Sequence, residues 1–271
     1  MNGAAFLVLL IAGSAGILLS FAHARSRAVL AQDGFTHPGR RGLAMGLLAG
    51  VLLLTVAIPF AGGLAGARPE TKDLSVASIF VTHGILVVFL VSYYLLSGRK
   101  SLGEFLYLKS SRPAADLGAG VLTGALGWVV MFATAYGVGF AWTVLRGKVP
   151  TPSVEDASSL IVWMVGRPLA VRIGIVLSAM VVEELFFRSF LQSRVGPVAA
   201  TLMFTAAHGV YGEPFLLIGI LAISAVLSIA FRVFGNVLPC IVAHGVFDAL
   251  QMFVVIPTTL KALESGLVAA S

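Results

Sequence analysis

The 271-residue chain is 58% hydrophobic and only 11% charged, with a mean hydropathy of +1.00. Soluble domains carry about 25% Asp, Glu, Lys and Arg. That balance excludes a water-soluble globule, and with it disorder, a coiled coil, a disulfide-stapled secreted domain and a nucleic-acid binder. The net charge of +6 and the pI near 9.8 point instead to anionic lipid headgroups as the partner of the basic residues.

A hydrocarbon core about 30 Å thick requires about 20 apolar residues of helix. Four such stretches open the chain, Ala4 to Phe21, Gly42 to Ala67, Leu74 to Gly98 and Leu117 to Leu145, each without Asp, Glu, Lys or Arg. Ala22-His23-Ala24 after the first run resembles a signal cleavage site. Residues 1–6 lack Lys and Arg, however, and the run exceeds the usual signal core of about 7 to 15 residues, so it is read as a retained span. Further on, the apolar runs are shorter and interrupted by charge, and spans are predicted at 168–192, 196–211, 214–231 and 236–256. Continuous apolar runs favour helices over the alternating strands of a barrel. The fold class is therefore all-α, a polytopic membrane protein of about eight transmembrane helices.

Gly46 and Gly50, and Gly120 and Gly124, have the small-xxx-small spacing that brings membrane helices close. Tyr93 and Tyr94 suit an interfacial belt. Pro38, Pro69, Pro113, Pro150, Pro152, Pro197 and Pro214 fall in predicted loops or at span edges, where a missing N–H does least harm. Residues 146–167 form the longest connecting segment, and no internal repeat is visible. The lone Cys240 reads as a small packing hydrophobe. Lys and Arg near span ends number ten on one face, Arg194 among them, and six on the other. The richer face is assigned to the cytoplasm, with the N-terminus outside.

Ionisable residues inside spans are informative, because each costs about 2.5 to 3.5 kcal/mol on insertion scales and by default marks a functional site. Three groups occur. In Glu183-Glu184-Leu185-Phe186-Phe187-Arg188, Glu184 and Arg188 share a helical face and can pair. Glu183 is rotated about 100° away and can point into a cavity. Phe204-Thr205-Ala206-Ala207-His208 and His244-Gly245-Val246-Phe247-Asp248 repeat the four-residue spacing. Together they hold three carboxylates, two imidazoles and a guanidinium where only protein or trapped water can solvate them. His23 and His37 read as solvated loop residues. His83 reads as a packing histidine, since no acid or second His lies at i±3 or i±4. Arg172, about 16 Å along a helix from Glu183, is expected to snorkel to the surface.

Glu183-Glu184-x-x-x-Arg188, Phe204-x-x-x-His208 and His244-x-x-x-Asp248 resemble, in that order, the three motifs of the CPBP intramembrane proteases. That family includes the CAAX prenyl endopeptidases and bacteriocin-processing or abortive-infection homologues. Its motifs cover residues 183–248, about a quarter of the chain. The first half adds only hydropathy compatible with the family's eight helices. The resemblance implies a peptide or protein substrate, hydrolysed by a water that Glu183 and His208 activate, with Glu184 and Arg188 supporting the site. It also implies a catalytic core of five spans at 117–271, behind an accessory set of three at 1–116, in one structural unit. A poorly hydrated carboxylate suits the role of base. Gly-x-Ser-x-Gly, His-Glu-x-x-His and an aspartyl dyad are all absent from the sequence.

The family often has Asn where this chain has Asp248, the amide there donating to the tetrahedral oxyanion. An ionised Asp would repel that oxyanion. Either Asp248 is protonated in its apolar setting or, the reading favoured, it accepts from one nitrogen of His244 and keeps the ring cationic, so that the other nitrogen donates. Glu183, His208 and His244 could also serve as three ligands of a catalytic zinc with water in the fourth place. A mechanism without cofactor is favoured, because Arg188 already offsets the charge that a cation would balance. A transporter is the rival from another class, but its polar helices would be distributed over both halves of the chain. A membrane scaffold without turnover is a second rival. A composition rich in Ala, Gly and Val suggests a bacterial inner (plasma) membrane.

Overall fold

The computed structural model describes residues 3–23, 30, 33–66, 75–98, 101–147, 159–211 and 214–265. Within these residues the chain is helical without strands. The loop cations Arg25, Arg27, Arg68, Lys72, Arg99, Lys100 and Lys148 lie outside them, as do Pro69, Pro150, Pro152 and residues 148–158 of the long connecting segment.

In chain order the helices are α1 (Gly3–Ala22), α2 (Pro38–Leu64), α3 (Val76–Leu96), α4 (Leu102–Phe105), α5 (Pro113–Arg146), α6 (Ser159–Val165), α7 (Leu169–Val195), α8 (Pro197–Ala207), α9 (Pro214–Phe234) and α10 (Leu238–Glu264). A 3₁₀ turn, His208–Tyr211, follows α8. Proline opens α2, α5 and α8, where a helix has no use for the N–H it lacks. Exposed His37 accepts from Gly39 N at 3.0 Å and caps α2. The sharp turns from α7 to α8 and from α9 to α10 are made by Gly196 at φ 87° and Gly235 at φ 68°, a conformation that favours glycine.

Among the described residues six helices are long and apolar enough to cross a bilayer, and the pair α6–α7, bent by 120°, makes a seventh span if counted as one. Expected spans at 168–192, 214–231 and 236–256 correspond to α7, α9 and α10. The run at 196–211 does not form a full span. Only 11 of its residues are α-helical, about 16 Å against a core of about 30 Å. Exposed Leu7, Ile11, Leu19, Leu122 and Leu126 on α1 and α5 are the lipid-facing surface that an integral membrane protein requires.

Two of the anticipated close approaches separate on inspection. Gly120 and Gly124 of α5 leave no room for a Cβ against Val242, Pro239 O, Ala243 O and Val246 of α10. The pair therefore lets α5 and α10 touch backbone to backbone. Gly46 and Gly50 have open space around them. Tyr93, assigned from sequence to the interface, is fully buried and donates to Asp33 Oδ2 at 2.7 Å. Asp33 also accepts from Arg194 Nε at 3.1 Å and Nη2 at 2.9 Å. The guanidinium carbon lies 3.9 Å from the centroid of Phe190, beside Tyr93 and Phe105. Arg194 is thus no free loop cation. It ties the segment before α2 to the end of α7 through an aromatic core that also holds Phe89 and Phe186. Arg172 does not snorkel freely either, because its Nη1 donates to Met252 O at 3.3 Å and its guanidinium lies over Phe253.

Candidate active site

Residues Glu184–Gln192 of α7 form a π-helical stretch, all but Leu185 fully buried. Such widened turns occur mostly as short insertions in α-helices, frequently at functional sites. The pairing of residues four apart survives the widening. Arg188 Nε donates to Glu184 Oε2 at 3.2 Å, with both side chains at zero exposure. Arg188 Nη2 donates to Ser224 Oγ of α9 at 3.2 Å. The face of the guanidinium rests 4.7 Å from the centroid of Phe204 on α8, an arrangement that the ring's negative face favours. The remaining oxygen of Glu184, Oε1, lies 2.9 Å from His244 Nδ1 on α10. One carboxylate thereby binds a cation on its own helix and an imidazole from another.

Glu183 is turned the other way, into a cavity of about 370 Å³ with mainly apolar walls. His83, His208, Tyr211, His244 and Asp248 line the same cavity. His208 Nδ1 is 2.8 Å from Phe204 O. A carbonyl oxygen only accepts, so Nδ1 carries the proton and Nε2 is left toward the cavity. Nε2 lies 3.7 Å from Glu183 Oε2. Among the described residues, buried Oε2 has no hydrogen-bond partner.

The turn that carries His208 is fixed by backbone contact. A Cβ on Gly63 of α2 would run into the carbonyl of Gly209, and one on Gly209 would meet Pro59 O and Phe60 Cα. Two glycines are therefore needed for α2 to reach the residue next to His208.

His244 departs from the expected arrangement. Its Nε2 lies 3.3 Å from Asp248 Oδ2, as anticipated, but its second nitrogen faces Glu184 and is not left free. Two carboxylates accept from the ring together only when both nitrogens carry protons, so the site suits an imidazolium. Asp248 stays partly exposed at the cavity wall, its side chain at 28%. Among the described residues no group of three His, Cys, Asp or Glu is arranged to hold a metal ion. The commitment of both His244 nitrogens explains why Glu183, His208 and His244 do not offer three free donors to one point.

His83 was read from sequence as a packing residue. It is mostly buried, yet its Nε2 sits 3.3 Å from Glu183 Oε1 and its Nδ1 3.0 Å from Ser178 Oγ. It was missed because its carboxylate partner stands 100 positions away. Tyr211, with its ring 5.6 Å from that of His208, was also not singled out. Its place three residues after His208, in the turn closing α8, was the available signal.

Residues 165–250 match the family model described as type II CAAX prenyl endopeptidase Rce1-like. No curated protein and no solved structure matches the chain. The matched segment runs from the end of α6 into α10 and contains all three polar groups, but neither His83 nor Gly63. The match over that segment supports a CPBP-type intramembrane protease, that is, a membrane-embedded peptide hydrolase.

Proposed function

We propose that the protein is an endopeptidase whose nucleophile is a water held between Glu183 Oε2 and His208 Nε2. The carrying observation is the juxtaposition of these two acceptors, 3.7 Å apart at the wall of a mainly apolar cavity. Water can donate one proton to each and direct a lone pair at a peptide carbonyl. Glu183 takes a proton as the new C–O bond forms. The same proton then passes to the departing amine nitrogen as the C–N bond breaks, which returns Glu183 to its starting state. Glu184 and Arg188 support the site by fixing His244. The His244 Nε2–H, now on Asp248 Oδ2, is the donor closest in kind to an oxyanion partner, and Asp248 stabilises the charge on its ring.

Support for a route without zinc comes from the donors. His208 uses Nδ1 on a backbone carbonyl and His244 has both nitrogens on carboxylates. The matched family's description makes a peptide with a prenylated cysteine four residues from its C-terminus the first substrate class to try. The bacterial inner membrane is the proposed location. Clustering of Glu183, Glu184, Arg188, His208, His244 and Asp248 on α7, α10 and the turn after α8 favours hydrolysis over transport.

The test uses purified protein in detergent with internally quenched peptides, prenylated and unprenylated. Wild-type protein is expected to cleave, and Glu183→Gln to lose at least about 100-fold in kcat while remaining folded. Absence of cleavage of every peptide by wild-type protein, or retained cleavage by Glu183→Gln, would refute the reading.

A further inference from the structure

Among the groups that line the cavity, His83 has no role in the chemistry above. His83 comes from α3, outside the matched segment, and reaches the carboxylate that serves as base. Its Nε2 lies 3.3 Å from Glu183 Oε1, the oxygen that does not face His208. On its other side Nδ1 is 3.0 Å from Ser178 Oγ, and Ser178 also lies 3.0 Å from Ile175 O, to which it can donate.

The carboxylate accepts, so Nε2 must carry the proton. In the neutral ring Nδ1 is then an acceptor, and the Ser178 hydroxyl can turn from Ile175 O to supply its proton. Ser178 and Glu183 sit on the same helix, five residues apart, so α7 offers His83 both a donor and an acceptor. A glutamate has three rotatable side-chain bonds, and a free carboxylate in the cavity would swing between several orientations. Pinning Oε1 leaves Oε2 aimed at His208, which is the kind of pre-organisation that positioned groups supply.

We infer that His83 is a positioning residue of the hydrolytic site, holding Glu183 by Oε1 so that Oε2 faces the water shared with His208. The inference rests on Glu183 being the base. It gives α3, and a residue in the first third of the chain, a part in positioning the base.

The deciding comparison is His83→Gln against His83→Asn, beside Glu183→Gln, in the peptide-cleavage assay on full-length protein. A Gln amide can reach the position of Nε2 and donate to Glu183. An Asn amide is shorter and can meet only Ser178. Asn is expected to lower kcat by about 10- to 100-fold with KM within about twofold. Gln is expected to recover at least about a third of the wild-type kcat. Thermal unfolding of the two variants in detergent should differ by no more than a few degrees, because the side chains differ by one methylene. Equal kcat for Gln and Asn, or a change in KM with kcat untouched, would overturn the positioning role while an inactive Glu183→Gln left the base assignment standing. An active Glu183→Gln would remove both.

Discussion

Replacing Arg188 by Met tests whether the inner carboxylate is held as an ion. Arg188 contributes hydrogen bonds to Glu184 Oε2 and Ser224 Oγ, each at 3.2 Å, and stacks on Phe204. Hydrogen bonds to charged groups contribute about 1.5–3 kcal/mol each, and a desolvated guanidinium over a ring adds about 0.5–2 kcal/mol. Relief from burying the guanidinium offsets several kcal/mol of that. Breaking a buried pair by removing one partner therefore costs about 3–5 kcal/mol net, since the other charge stays buried. An ordinary interhelical hydrogen bond in a membrane protein averages only about 0.6 kcal/mol, so the two accounts are well separated. Equilibrium unfolding of detergent-solubilised Arg188→Met should show the larger loss. The double variant Glu184→Gln/Arg188→Met should regain at least about 2 kcal/mol of it, because Gln still accepts from His244 Nδ1 and carries no charge. A single-variant loss below about 1 kcal/mol, or strictly additive losses, would refute an ionised Glu184 at this site.

At Asp248, Asn retains an oxygen that accepts from His244 Nε2 whereas Ala does not. Asp248→Asn should keep substantial activity and Asp248→Ala should lose most of it; equal, near-wild-type rates for both would remove Asp248 from the mechanism. Gly63→Ala places a methyl against the Gly209 carbonyl and should cost about 1–3 kcal/mol in stability, with a fall in kcat as the His208 turn shifts. Unchanged unfolding and kcat would show that α2 does not position that turn. Exhaustive chelation should leave peptide cleavage intact, and a loss that added zinc alone restores would establish the metal-dependent alternative.

The three polar groups were legible because each pair lies four residues apart on one helix, and because an ionisable residue within a span needs a reason to be there. Hydropathy also located the helices, but it could not separate α8 from a spanning helix. A run of apolar residues reads the same whether it crosses the bilayer or is wrapped by other helices, as α8 is by α7 and α9. What stayed hidden is long-range. Arg194 counts as a loop cation until Asp33, 161 positions earlier, closes on it. Arg172 reads as snorkelling until α10 presents Met252 O. The second nitrogen of His244 seems free until Glu184, 60 positions away, takes it. No periodicity within one helix encodes these pairings.

On the proposed mechanism, the adjacent glutamates explain what two acids in succession can do that one cannot. Side chains on neighbouring helical residues diverge by about 100°, so one backbone element can point one carboxylate inward and the other at a cavity. Glu184 faces inward, where Arg188 and His244 offset its charge and fix the distance between α7 and α10. Glu183 faces the cavity with one oxygen held by His83 and the other without a partner among the described residues. A single carboxylate could not fill both positions, because the bonds that stabilise it as an ion also occupy the lone pairs needed to take a proton from water. On the proposed mechanism the inner ion pair supplies rigidity and the outer glutamate supplies reactivity. Exchanging Glu183 alone should abolish turnover with little loss of stability, whereas exchanging Arg188 should act on stability first.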